Sequence, residues 1–163
     1  LRDGSKGSKL WAIFREAGRS WDIGPGNPNW CERIESGLVS YGGDTDETTN
    51  PFEVRMGKYV DLDVPDDTVG IAALRRIAAE GPKRHLLGVV IDGGAPLAPA
   101  FGWQTIARGD RRVGDLTNGV FSYRLKKNIG FALVSADCGI GDRVDVHLKD
   151  AVHPGTLTDI PFV

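Results

Sequence analysis

Several features that mark specialised protein classes are scarce in this sequence of 163 residues. It has two cysteines, Cys31 and Cys138, which are too few for a disulfide-rich secreted fold and lack the spacing of a zinc site. No apolar run approaches the ~20 residues that cross a bilayer, and the first residues do not have the pattern of a signal peptide. The sequence therefore predicts a cytoplasmic protein with reduced thiols, no bound metal and no membrane partner.

An excess of positive charge is also absent. The chain carries 20 Lys and Arg against 22 Asp and Glu, a net charge of -2. Nucleic-acid-binding proteins have a basic surface that neutralises phosphates, so we expect no nucleic-acid partner. The hydrophobic fraction of 40% is that of a chain that can bury a core.

Methionine occurs once, at Met56, and the chain begins with Leu1. The first residues, LRDGSKGSKLW, resemble the end of a strand followed by a turn and the start of a helix. We therefore expect this chain to be a piece of a longer protein. Part of the chemistry would then lie on residues outside it.

Helical periodicity is clear near the start of the chain. A first helix is predicted to end at Gly18, and a second to follow Asn27 and Pro28 and to end at Gly37. The apolar face predicted for the first helix consists of Leu10, Trp11, Ile13, Phe14 and Ala17.

Two further elements are predicted before residue 82. The alternating segment FEVRMGKYVDLD is typical of a strand or a hairpin with its bend at Gly57. The next segment predicts a helix that opens at Asp66, Asp67 or Thr68 and closes at Gly81 and Pro82.

From Lys83 onward the pattern changes from helical to strand-like. Six short segments with strand character are separated by turn residues: RHLLGVVID, WQTIAR, RVGDLTNGVFS, NIGFALVS, RVDVHLK and GTLTDIPF. Short strands at this spacing indicate a compact antiparallel barrel or jelly roll. The fold class is therefore α+β, with an α+β part before Gly81-Pro82 and an all-β module after it.

Acidic and aromatic residues after the second helix have more than one interpretation. The loop acids, such as Asp44, are either solvated or line a cleft. Glu35 and Glu53 are expected to cap or to pair with Arg33, because burying an unpaired carboxylate is costly. Tyr41 precedes two glycines, and its ring either fills the interface between domains or packs on a flat ligand.

The remaining polar candidates are weaker. His85, His147 and His153 are scattered and lack ligand spacing, so we expect structural or surface roles. The basic group Arg124, Lys126 and Lys127 lies at a predicted turn between strands. It either faces solvent or contacts an anion such as a carboxylate tail.

Taken in order, several motifs resemble a known family. They are ERIESGLVSYGGDTDETTNPFEVRMGKYVDLD, GIAAL, KRHLLGVVIDGG, RRVGDLTNGVFSYRLKKNIGFALV and DIPFV. Together they resemble the C-terminal half of the glycine cleavage T-protein family of folate-dependent aminomethyltransferases. The segments ERIESGL, SYG and NPFE favour its dimethylsulfoniopropionate demethylase-like branch.

The resemblance implies a division of the chain and a cofactor. Residues 1–82 would be a partial, truncated α+β folate-binding region, and residues 83–163 a small C-terminal β-barrel domain. Tetrahydrofolate would accept a one-carbon unit from a small methyl or aminomethyl donor. The family's catalytic aspartate lies before the start of this chain, so the resemblance implies no catalytic residue here and a missing N-terminal half as partner.

The same resemblance suggests two cofactor-binding residues, Asn29 and Tyr41. Asn29 stands where glycine-cleavage T-proteins have an arginine that contacts folate, which favours a methyl donor over the aminomethyl-lipoyl substrate. The alternatives are an aminomethyltransferase of the glycine cleavage system and a non-enzymatic folate-binding or interaction module. The donor and the oligomeric state stay open.

Overall fold

The computed structural model describes residues 3–25, 29–93, 95–149 and 151–163, and within them it contains three α-helices followed by six β-strands. The helices are α1 (Gly7–Ala17), α2 (Trp30–Glu35) and α3 (Ile71–Glu80). The strands are β1 (Arg84–Ile91), β2 (Ala100–Arg108), β3 (Arg111–Ser122), β4 (Lys127–Ser135), β5 (Arg143–His147) and β6 (Val152–Thr158). Across these described ranges, every helix is too short or too polar to cross a membrane.

The six strands close into one antiparallel barrel in the order β1-β4-β3-β2-β5-β6. Long pairings of β4 with β1 and β3 form one side, and the shorter β5 and β6 complete the circle. Closure satisfies the backbone hydrogen bonds on both sides of each strand. The predicted α+β class with an antiparallel barrel is confirmed, and of the two all-β forms the barrel is the one observed.

The barrel wall is buried on both of its faces along β1 and β4. Along β1, Leu87 and Val89 point into the barrel while Leu86 and Val90 point outward, as the two-residue period of a strand requires. The outward residues belong to a second core formed with the segments that precede the barrel. This outer core consists of the buried residues Ile34, Val54, Leu86, Ile129, Phe131, Leu133 and Ile160.

Helix α2 lies against the outer face of the barrel. Ile34 is fully buried in the outer core, and α2 packs on β3 and β4. The helix begins at Trp30 with Asn29 as its N-cap. Asn27 and Pro28, where the sequence predicts its start, lie outside the described residues.

Helix α1 does not bury the face that its sequence pattern suggests. Trp11, Ile13 and Phe14 are 44–54% exposed, and α1 packs mainly on its flanking 3-10 turns. Helix α1 is amphipathic, but within the described part of the chain no core packs on its apolar face.

The predicted strand or hairpin in FEVRMGKYVDLD is wrong. Asn50 Oδ1 accepts hydrogen bonds from the backbone N–H groups of Phe52 (3.0 Å) and Glu53 (3.2 Å), which coils the chain into turns. Arg55 then takes a positive φ of 62°, and a 3-10 turn covers Gly57–Tyr59. Side chain–backbone bonds therefore override the alternating pattern here.

The predicted third helix is present but starts later than expected. It begins at Ile71 after Gly70, whose φ is 81°. Asp66 does not open the helix. Its carboxylate forms an ion pair with Arg75, with a hydrogen bond of 2.6 Å from the guanidinium. Gly81 ends the helix as predicted.

We predict that Gly114 is a stability-determining position of the barrel. A Cβ there would clash with the carbonyl oxygen of Leu133 and lie 2.7 Å from Cα of Val134, and backbone cannot move aside cheaply. Gly114→Ala should lower the free energy of unfolding by about 1–3 kcal/mol or more, measured by urea denaturation. Gly139→Ala is the matched control, because a Cβ at Gly139 meets no atom within 4 Å. Equal midpoints for the two variants would contradict this packing.

Candidate functional site

The start of α2 is fixed by the Asn29 side chain. Asn29 Oδ1 accepts hydrogen bonds from the backbone N–H groups of Cys31 (2.9 Å) and Glu32 (3.5 Å), which satisfies donors that the first helical turn leaves free. Residues four apart on a helix lie on the same face. The cap therefore sets Cys31 and Glu35 side by side, facing the end of β3.

Glu35 is a buried carboxylate, 3% exposed. Its Oε1 accepts a 2.5 Å hydrogen bond from the hydroxyl of Ser122 and a 3.2 Å bond from the thiol of Cys31. Ser122 Oγ in turn accepts from the backbone N–H of Leu125 at 2.9 Å. Among the described residues Glu35 has no cationic partner, and its second oxygen, Oε2, accepts no hydrogen bond from them.

A cleft of about 550 Å³ opens between α2 and the turn that joins β3 to β4. This volume lies in the range of small-molecule sites. Glu35 lies in its wall and contributes the free acceptor, whereas Arg124 is the one cation among the described lining residues. The cleft is lined by Asn29, Cys31, Glu32, Glu35, Ser36, Tyr123, Arg124 and Val163.

A second cavity, of about 250 Å³, lies beside β2. Leu97, Phe101 and Leu148 make much of its wall, and Lys149 is the one charged residue among the lining residues that the structure describes. It has no acidic group and no paired donor and acceptor among its described lining residues. The cleft at α2 is therefore the stronger candidate for chemistry or polar recognition.

Burial raises the pKa of the Cys31 thiol, and the hydrogen bond to Glu35 and the negative charge of that carboxylate raise it further. The thiol is therefore kept protonated and acts as a hydrogen-bond donor rather than as a nucleophile. Both cysteines of the chain are free thiols.

Asp44 attaches α2 and the following turn to the barrel. It is fully buried, and its Oδ2 accepts hydrogen bonds from Arg33 (2.6 Å) and from the backbone N–H of Ser40 (2.8 Å). Its Oδ1 accepts from Thr117 (2.8 Å) and Asn118 of β3. Neither interpretation of this acid, solvated loop or cleft wall, is correct, because it is a buried structural anchor.

The ion pairs differ from those expected for Arg33. Its guanidinium pairs with Asp44, not with Glu35 or Glu53, and lies 4.4 Å from the ring centroid of Trp30. Glu53 pairs instead with Arg84 of β1 through two hydrogen bonds of 2.9 and 3.0 Å. The partner of Glu53 comes from the barrel, 31 positions along the chain, so proximity in the sequence could not identify it.

The two residues expected to bind a cofactor, Asn29 and Tyr41, do not lie together. Asn29 lines the cleft. Tyr41 is 76% exposed on the turn after α2, where its backbone pairs with Thr45, and it is not among the residues that line the cleft. The structure thus brings Asn29 and Arg124 to one cavity and leaves Tyr41 outside it.

The hydrogen-bonded group of Cys31, Glu35 and Ser122 is not evident from the sequence. Ser122 lies 87 positions from Glu35, and no local pattern joins them. The available signal was the placement of Cys31 and Glu35 four residues apart on one helix. Within the described ranges, no three His, Cys, Asp or Glu side chains form a group that could hold a metal ion.

We predict that Glu35→Gln lowers the pKa of Cys31. The change removes the negative charge and the charged acceptor that favour the protonated thiol, so the pH midpoint of Cys31 alkylation by iodoacetamide should fall. The measurement uses a Cys138→Ser background, so that one thiol reacts.

Glu32→Gln is the matched control, since Glu32 also lines the cleft but makes no hydrogen bond to Cys31. It should leave the midpoint where it is. Partial unfolding would also lower the midpoint, because burial itself raises the pKa of Cys31, so circular dichroism first verifies that both variants are folded. An unchanged midpoint in Glu35→Gln would refute the proposed thiol–carboxylate coupling.

Comparison with known proteins identifies the barrel. Residues 84–163 match the glycine cleavage T-protein C-terminal barrel domain. The chain is 33% identical over 154 residues to dimethylsulfoniopropionate demethylase DmdA of Ruegeria pomeroyi, covering 94% of this chain and 41% of that protein. It is 37% identical over 132 residues to an aminomethyltransferase of Geobacillus kaustophilus, covering 80% of this chain and 35% of that protein.

The fold of the chain is also similar to that of a solved structure. The crystal structure of the glycine cleavage system aminomethyltransferase T from Bartonella henselae superposes with a TM-score of 0.68 at 21% identity, covering 82% of this chain and 37% of that one. The chain spans 33–42% of the length of such curated relatives. The resemblance predicted from the motifs is confirmed: the chain belongs to the glycine cleavage T-protein family and contains its C-terminal barrel domain.

Proposed function

We propose that this chain is the C-terminal portion of a tetrahydrofolate-dependent methyltransferase or demethylase. The enzyme would move a one-carbon unit from a small methyl donor to tetrahydrofolate. Family membership supports one-carbon transfer, since the relatives carry the names demethylase and aminomethyltransferase. The observation that carries the proposal here is the cleft between α2 and the β3–β4 turn.

The cleft has the polar groups that a pterin requires. A pterin ring has an edge of N–H donors. Glu35 lines the cleft, and its Oε2 accepts no hydrogen bond from the described residues. A buried carboxylate without a cationic partner gains most from such donors. Asn29 adds an amide at the same cleft.

The contribution of this chain to the reaction is binding and orientation. Tetrahydrofolate supplies the N5 nucleophile that accepts the one-carbon unit. Holding two reactants in line contributes up to ~7–11 kcal/mol in favourable cases. The hydrogen bonds from Ser122 and Cys31 fix the carboxylate of Glu35, so Oε2 is oriented before the ligand binds. We assign the proton-handling acid to the part of the protein that precedes this chain in its relatives.

A methyl donor is the preferred substrate class. Asn29 is neutral where a family arginine would be charged, and the chain resembles the demethylase over 94% of its length. Transfer of an aminomethyl group is the second candidate, favoured by the many relatives named aminomethyltransferase. Assaying the complete enzyme with both donor classes separates the two.

We further propose that residues 1–82 belong to a folate-binding region shared with a preceding segment, and that residues 83–163 are a separate barrel domain. The exposed apolar residues of α1, including Trp11 and Phe14, then pack on that segment. The fraction of the relatives' length that the chain spans, 33–42%, leaves room for such a segment. The two free thiols are in keeping with a cytoplasmic location.

We predict that the isolated 163 residues bind tetrahydrofolate weakly while the complete protein binds it tightly. The cleft of the isolated chain opens to solvent, and the desolvation that strengthens its polar contacts needs the preceding segment to cover it. Calorimetry under anaerobic conditions measures both dissociation constants, after circular dichroism has verified that the isolated chain is folded.

Full-strength binding by the isolated chain would contradict the division between the two parts. Absence of folate binding by the complete protein would overturn the proposed function itself.

A further inference from the structure

The turn between β3 and β4 carries an aromatic ring and a cation next to each other. Tyr123 is 77% exposed, and both Tyr123 and Arg124 line the cleft. We infer that this turn binds the aryl-glutamate half of the folate, with Tyr123 against the aromatic ring and Arg124 on a carboxylate. The inference rests on the proposed function and adds the subsite for the second half of that ligand.

The turn is held in place by the same contacts that build the base of the cleft. Ser122 Oγ donates to Glu35 and accepts from the backbone N–H of Leu125. The Tyr123 ring meets Phe121 at a centroid distance of 5.1 Å and an interplanar angle of 83°. Tyr123 and Arg124 are thus presented by an ordered turn at a fixed place relative to Glu35.

Arg124 is available for a ligand. It forms no ion pair or hydrogen bond with the residues that the structure describes, whereas Arg33 and Arg84 are paired with carboxylates. A guanidinium can bind a carboxylate through two parallel N–H bonds. An exposed tyrosine offers a flat surface to an aromatic ring.

The charges of the cleft orient the ligand. Glu32 and Glu35 lie on α2, and Arg124 lies on the opposite wall. A ligand with N–H donors at one end and carboxylates at the other is therefore favoured with its donors toward Glu35 and its carboxylates toward Arg124. Tetrahydrofolate has this polarity, since its pterin and its glutamate lie at opposite ends.

The test varies the turn and the ligand together in the complete protein. Dissociation constants are measured for tetrahydrofolate and for 6-methyltetrahydropterin, which lacks the aryl-glutamate half. Arg124→Gln should weaken tetrahydrofolate binding about tenfold and leave pterin binding unchanged. Tyr123→Ala should act in the same direction, and Tyr123→Phe should retain binding.

Lys127→Gln is the matched control, because it removes a neighbouring positive charge that does not line the cleft. It should change neither constant. Direct NMR titration with p-aminobenzoylglutamate should detect weak binding that Arg124→Gln abolishes and that inorganic phosphate does not mimic.

Each outcome bears on the inference. Unchanged tetrahydrofolate binding in Arg124→Gln, equal losses for both ligands, or an equal effect of Lys127→Gln would overturn it while the proposed function stands. Displacement of p-aminobenzoylglutamate by phosphate would reduce the turn to a general anion site and also overturn it. If the wild-type protein binds neither pterin compound, the inference and the proposed function fall together.

Discussion

The architecture depends on one buried carboxylate, that of Asp44. Its two oxygens accept hydrogen bonds from α2 (Arg33), from the turn backbone (Ser40) and from β3 (Thr117 and Asn118). A carboxylate can accept about four such bonds, and the 2.6 Å ion pair with Arg33 offsets part of the cost of burying that guanidinium. Short segments before the barrel have little core of their own, so this anchor decides how α2 lies on the barrel. The cleft exists because α2 lies there.

Two further contacts hold the segments that precede the barrel against the rest of the fold. Glu53 pairs with Arg84 at the start of β1, and the backbone N–H of Phe162 donates to the carbonyl of Glu35 at 2.8 Å. The outer core fills the space between these polar contacts, with Ile34 fully buried. The result is a preformed wall in which Glu35 keeps its position. In the proposed one-carbon transfer, which would depend on alignment, a fixed wall would matter more than an additional reactive group.

Local patterns predicted much of this fold. The six strands follow from alternation and turn residues, because each strand carries its own two-residue signal. The sequence left a barrel and a jelly roll open, and the observed pairing shows the barrel. The sequence did not indicate which strands neighbour each other, nor that Asn50 would coil the predicted strand after it. At the site, Asn29 lines the cleft, and its role in cofactor binding stays a prediction. The partners that β3 supplies to Asp44 and Glu35 were not evident from the sequence. Contacts between residues 74–87 positions apart leave no local trace.

Native-state hydrogen exchange of Asp44→Asn tests the anchoring role most directly. The amides of Ser36, Gly37 and Leu38, which bond back into α2, should exchange about 10²-fold faster or more. The amides of β4 should keep their protection, because its pairing with β1 does not involve Asp44. Asp46→Asn, on the exposed part of the same loop, should have little effect on either set. Unaltered exchange in α2, or an equal acceleration in α2 and β4, would contradict the account.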